Sequence, residues 1–181
     1  MAEHPNLVWM DLEMTGLDPD KERILEMACI VTDSSLNLVA EGPVIYVRQS
    51  EELLAGMDDW NRQHHGQSGL IDLVKSSGIG EEEAESRMLE FLQRYTTEGQ
   101  SPLCGNTIGQ DRRFLERYQP RLEAWLHYRS IDVSSLKELA IRWRPDLMGG
   151  FRKKEAHRAM DDIRESIEEL KYYRDHFLRL D

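Results

Sequence analysis

Between Asn6 and Met14 an apolar run of Leu7, Val8, Trp9, Met10 and Leu12 is broken by two acids, Asp11 and Glu13. Bulky and branched residues at this density predict a β-strand. Successive side chains of a strand point to opposite faces, so residues two apart share a face. Asp11 and Glu13 therefore stand side by side. On a half-exposed strand that face would simply be wet. In a buried strand the two carboxylates repel each other and lose hydration, which is costly unless a cation joins them. Hard divalent ions take carboxylate oxygens, and Mg²⁺ suits a partly hydrated cluster. Any fold for this chain must place the end of this strand in water or at a cation site.

Further strands and helices follow from periodicity. Gly16, Asp18, Pro19 and Asp20 form a turn-rich loop, and Arg23 to Thr32 is a second strand. Leu36 to Val47 contains a third, and the short connections make the three an antiparallel meander. Glu51 to Leu73 is polar, with short helical patches. A helix starts at Gly80 with the acids Glu81, Glu82 and Glu83, as the macrodipole prefers. Pro102 to Gly105 and Ser130 to Val133 are short strands. Ser134 is expected to cap a helix that Pro145 ends, and a last helix runs from about Arg158 to Leu178. Three strands followed by alternating helix and strand predict one α/β domain over residues 1–181. Its mixed five-stranded sheet has three antiparallel strands, then parallel ones, with helices on its faces. Ligands in such sheets bind at the carboxyl ends of parallel strands, which directs attention to the end of the first strand.

The net charge is −11, so the chain is not a generic basic binder of long nucleic acid. The charge is uneven, however. From Arg112 to Arg158 there are 12 Lys and Arg against 6 Asp and Glu, a local +6 that leaves −17 for the rest. Cys29 and Cys104 lie in apolar runs and read as reduced core thiols. No apolar run approaches the ~20 residues that span a bilayer. The first residues lack the features of a signal or transit peptide, so the cytoplasm is the expected location.

Two more acids join the first pair. Asp111 follows the strand at Leu103, and Asp162 sits near the start of the last helix. Each alone could be an ordinary helix N-terminal acid. Four acids near element ends of one α/β core form a more specific set. His157 precedes Asp162 by five residues, a separation that brings the two together best when His157 lies in the loop before the helix. A loop histidine beside a metal-bound water suits a general base.

The run Trp9-Met10-Asp11-Leu12-Glu13-Met14-Thr15-Gly16-Leu17-Asp18 resembles the first motif of the DEDD 3′-to-5′ exonucleases. Asn106 to Asp111 resembles the second motif, and His157 with Asp162 the third, in its histidine-bearing DEDDh form. Met57 to Trp60, Tyr128-Arg129, Asp132 to Ser134 and Ala159 to Ser166 are similar to the oligoribonuclease branch of that family. The similarity covers nearly the whole chain. Ser130-Ile131 departs from it, being less bulky than expected there.

The resemblance implies an RNase H-like fold. It also implies two divalent cations, Mg²⁺ or Mn²⁺, held by Asp11, Glu13, Asp111 and Asp162, with His157 taking a proton from water. Such ions clamp the attacking and leaving oxygens of an in-line displacement. Leu17 and His65 would bracket the bases with Trp60 alongside, and Arg129 and Ser134 would hold the 5′ phosphate. Tyr128 would enter from the partner subunit of a homodimer. The implied substrates are short single-stranded RNAs, dinucleotides above all, cut to 5′-nucleoside monophosphates as the last step of RNA decay. Rival readings are a DEDDh exonuclease for longer ends, as in tRNA trimming or DNA proofreading, and an inactive scaffold that binds RNA ends. The acidic balance argues against the first, and the four intact acids against the second.

Overall fold

The computed structural model describes residues 4–151 and 158–178. β1 (Leu7–Met14) runs through the middle of the sheet. β2 (Ile24–Thr32) is buried along its whole length and pairs antiparallel with β1, Leu7 opposite Thr32 and Glu13 opposite Glu26. β3 (Leu38–Glu41) and β4 (Ile45–Tyr46) both pair antiparallel with β2. On the other side, β5 (Pro102–Gly105) pairs parallel with β1, and β6 (His127–Asp132) pairs parallel with β5.

The sheet therefore has six strands, where sequence predicts five. The third expected strand is split in two around Gly42 and Pro43. The Gly42 N–H still donates to the Cys29 carbonyl at 2.8 Å. Pro43 has no N–H to continue the ladder, and pairing resumes at Ile45. β6 also begins earlier than expected, which puts Tyr128 and Arg129 on it.

Helices cover both faces. They are α1 (Glu51–Gly56), α2 (Asp59–Gln67), α3 (Leu70–Ser76), α4 (Glu81–Gln93), α5 (Ile108–Tyr118), α6 (Pro120–Trp125), α7 (Val133–Trp143) and α8 (Ala159–His176). The period of two along β1 decides what each face meets. Val8, Met10 and Leu12 pack with Met88 and Leu92 of α4 and with Phe114 and Leu115 of α5. Leu7 and Trp9 pack on the other side with Ala140 of α7 and with Ile163, Ile167 and Tyr173 of α8. Asp11 and Glu13 continue that second row, so they emerge on the α8 side at the carboxyl end of the strand. Cys29 and Cys104 are buried free thiols, as expected.

One cap differs from the expectation. The N-cap of α7 is Asp132, whose carboxylate accepts from the Ser134 N–H at 2.9 Å. Ser134 lies in the first turn, which frees its hydroxyl for other partners. Among the described residues no helix is long and apolar enough to cross a membrane.

Candidate active site

Three of the four expected acids converge. Carboxylate oxygens of Asp11, Glu13 and Asp162 lie within 4.8 Å of one another. β1 supplies the first two and the first turn of α8 the third. Asp111 stands next to this group, outside that 4.8 Å cluster. It is buried in the first turn of α5, and its Oδ1 accepts from the Leu12 N–H at 2.9 Å. The paired residues of β5 reach β1 only as far as Trp9, so the Leu12 N–H lies beyond the ladder and Asp111 satisfies it. That bond fixes the carboxylate at the end of β1.

Burial and like charge act together on these carboxyls. Burial, then the charges of Asp111, Glu13, Asp162 and Glu26, hold the Asp11 carboxyl well above the usual carboxylate range. Burial first, then Glu26, Asp162 and Asp111, push Glu13 up to about 8. Burial pushes Asp111 up to about 7, against the lowering effect of the Leu12 N–H. All-oxygen donors, close spacing and mutual repulsion are what a hard divalent ion relieves, so the residues fit such an ion.

Glu26 is a member of this cluster that sequence reading passes over. It is 2% exposed, lies directly across from Glu13, and its pKa is raised by burial while Arg158 lowers it. A signal was available: it is the one charged residue of an apolar strand, the same irregularity that marks Asp11 and Glu13. Arg158 precedes α8 and donates to the Ser68 carbonyl at 3.0 Å. It thereby links the start of that helix to the end of α2.

The expected substrate residues divide into three settings. Leu17 and Trp60 are exposed, 72% and 69% respectively. The Leu17 carbonyl accepts from Gln110 at 2.6 Å, which ties the loop after β1 to α5. Trp60 stacks on His64, with ring centroids 4.9 Å apart and planes 8° apart. His65, by contrast, is buried. Its Nε2 lies 2.8 Å from the Met14 carbonyl oxygen, its Nδ1 lies 4.0 Å from Glu13 Oε2, and burial lowers its pKa. It borders the acids directly.

Tyr128 and Arg129 occupy a bulge. Pro102 of β5 pairs with His127 and Leu103 with Ser130, so the two residues between fall outside the ladder. Both are exposed, Tyr128 stacked on His127 at 4.5 Å and the Arg129 guanidinium 5.3 Å from the Tyr128 ring centre. Arg112 braces the bulge from behind through the His127 carbonyl at 2.7 Å and the Ser130 hydroxyl at 2.8 Å. A small residue at 130 leaves room for that bond.

Ser134 sits where α5 and α7 begin. Its hydroxyl donates to Asn106 Oδ1 at 3.1 Å and accepts from the Thr107 N–H at 2.9 Å. Thr107 has a φ of +53°, a left-handed conformation unusual for a β-branched residue. Its N–H is held there by Ser134 and Asp132 together. Asn106 also donates to Ser166 and Glu169 of α8, so it ties the Ser134 corner to the helix that carries Asp162. The expected general base, His157, lies outside the described residues.

Comparison with known proteins agrees with this geometry. Residues 8–170 match the exonuclease family model RNase_T. The chain is 62% identical over 180 residues to the oligoribonuclease of Hahella chejuensis, covering 99% of both chains. It is 59% identical over 179 residues to that of Escherichia coli K12, again covering 99% of both. Among solved structures, exonuclease I from Methylocaldum szegediense aligns with a TM-score of 0.73 at 20% identity, over 95% of this chain. The zinc-bound complex of E. coli exonuclease I with single-stranded DNA aligns with a TM-score of 0.75 at 20% identity, over 98% of this chain. This chain spans only about two fifths of those exonuclease I chains, and at such identity they share its fold alone.

Proposed function

This chain belongs to the oligoribonuclease family of exonucleases, and from that premise we propose how its residues carry out 3′-to-5′ hydrolysis of very short RNA. The convergence of Asp11, Glu13 and Asp162 within 4.8 Å is the observation that carries the reading. With Asp111 beside them, these acids would hold two divalent ions, Mg²⁺ or Mn²⁺. Bound ions would supply charge neutralisation for the attacking and leaving oxygens of the phosphodiester. Asp111 keeps one oxygen on the Leu12 N–H and offers the other. His157 accepts a proton from the attacking water.

The remaining residues hold the substrate. Leu17 and Trp60 offer exposed apolar surface to the bases, and His65 forms the inner wall next to Glu13. Arg129 and Ser134 bind the 5′ phosphate. Tyr128, exposed on the bulge, completes the site of the second protomer in a homodimer. A slot with a metal centre at one end and a phosphate cap at the other fits about two nucleotides, so dinucleotides are the preferred substrate and 5′-nucleoside monophosphates the product. Its place is the cytoplasm, as a finisher of RNA decay, and its acidic balance disfavours a long polyanion as substrate. The test is incubation of 5′-phosphorylated, end-labelled RNAs of two, four, seven and twenty nucleotides, with and without EDTA. Metal-dependent release should be fastest for the dinucleotide. Equal efficiency on the twenty-mer would replace this reading with a general exonuclease.

A further inference from the structure

Beside the acids, α2 presents two consecutive histidines, His64 and His65. The Met14 carbonyl oxygen lies 2.8 Å from His65 Nε2. A carbonyl only accepts, so Nε2 carries the proton and the neutral ring keeps its lone pair on Nδ1. That lone pair faces Glu13, with Nδ1 4.0 Å from Oε2. A histidine prepared for a metal is held in this way, with one ring N–H on a backbone carbonyl and the other nitrogen presented. His64 supplies a third donor, since ligand atoms of Glu13, His64 and His65 all lie within 4.8 Å of one another.

This donor set differs in kind from the four acids. Two imidazoles and one carboxylate suit zinc and neighbouring transition ions, whereas Mg²⁺ prefers oxygen and keeps its waters. We propose that Glu13, His64 and His65 form a zinc-class site, and that filling it inhibits the enzyme. Zinc bonds of about 2.0–2.2 Å place tetrahedral donors roughly 3.4 Å apart, so donors that lie within 4.8 Å of one another must close by up to about 1.4 Å. That closure would fall mainly on His64, which is half-buried and stacked on Trp60, because His65 is buried and held on the Met14 carbonyl. Two features make occupancy inhibitory. The site takes Glu13 from the catalytic acids, and it engages His65 at the inner wall of the base slot. The inhibitory role rests on the proposed function; zinc binding itself does not.

The experiment titrates Zn²⁺ into metal-stripped protein by calorimetry in excess Mg²⁺, and records the visible spectrum with Co²⁺ in its place. His64→Gln is compared with the wild type. His64→Arg, which can stay stacked on Trp60 but cannot bind a metal, is the second variant. Circular dichroism checks that both are folded. The wild type should bind zinc about tenfold or more tightly than either variant. The strong absorption of Co²⁺ with nitrogen ligands and low coordination number should be lost in both. The Zn²⁺ concentration that halves Mg²⁺-supported dinucleotide hydrolysis should rise by the same factor in each variant, relative to its own zinc-free rate. Equal zinc affinity and equal Co²⁺ spectra in all three proteins would overturn the site. Zinc binding that depends on His64 but leaves hydrolysis untouched would overturn the inhibitory role. A wild type that fails to hydrolyse dinucleotides in Mg²⁺ without zinc would instead count against the proposed function.

Discussion

The end of β1 and the bulge of β6 are both assigned to substrate, yet they are built in opposite ways. At β1, Glu26 and Asp111 are buried and Asp11 and Glu13 half-buried, and the carboxyls of these four are raised, by burial first in each. At β6, Tyr128 and Arg129 stand outside the ladder in solvent, with Arg112 bracing them from within. The first region holds unfavourable electrostatics that a cation relieves. The second spends little fold stability on presenting a ring and a guanidinium. Substitutions at β1 should therefore lower activity while raising stability. Substitutions at β6 should lower recognition and leave stability flat.

The largest effect should come from the acids. Asp11→Asn or Asp162→Asn should leave less than about a tenth of wild-type turnover at saturating metal, since a metal-site group contributes several kcal/mol. The apo variant should also unfold at a temperature equal to or above that of the wild type, because a buried repulsion is gone. A variant that loses activity and melts well below the wild type would make these acids structural, and would erase the contrast with β6.

His157→Ala comes next. A general base is worth about 10²-fold or more in turnover, and metal affinity should change little. Loss of metal binding in calorimetry would turn His157 into a ligand.

How much of this could be read beforehand follows the same divide. The acids were legible because a charge inside an apolar strand contradicts its surroundings, and Asp11 and Glu13 share a face by the period of two. Glu26 carries that mark too, but its role appears only when the β1–β2 register sets it opposite Glu13. The bulge at β6 was not legible, since a two-residue slip depends on how Pro102 and Leu103 meet the neighbouring strand. The split of the third strand could be read from Pro43, whose missing N–H ends a ladder. The capping of α7 by Asp132 in place of Ser134 turned on two adjacent cap-forming residues. Sequence alone does not show that the Ser134 hydroxyl is engaged by Asn106 and Thr107.

Arg129→Ala probes the exposed side. Losing a charged hydrogen bond to the 5′ phosphate should cost about 1.5–3 kcal/mol in kcat/KM for the dinucleotide. Longer RNAs should lose less, so the length dependence flattens, and the melting temperature should not move. An equal loss on two and twenty nucleotides would show that Arg129 does not cap the substrate.

The smallest effect is a pH dependence confined to β1. Glu13 is pushed up to about 8 and Asp111 up to about 7, with burial the first cause in each. Unfolded, both would titrate near 4 to 4.5. The folded state therefore keeps these protons longer than the unfolded one. Their contribution to stability is complete below about pH 4 and is lost as pH rises through 7 and 8. In EDTA the melting temperature should thus fall between pH 5 and pH 8. Glu13 is one-fifth exposed and shares its repulsion with several acids, so the fall should be modest, about 3–6 °C for a chain of this size. Other groups titrate over the same range, and the informative quantity is the difference between wild type and Glu13→Gln, which cannot ionise. That difference should widen steadily from pH 5 to pH 8 under EDTA, in favour of the variant. Mn²⁺ at pH 8 should reverse it, because the ion binds the wild-type carboxylates and stabilises the folded state by mass action. If the wild type and Glu13→Gln kept the same separation at every pH, Glu13 would be ionised throughout, and the end of β1 would be a solvated edge like the bulge of β6.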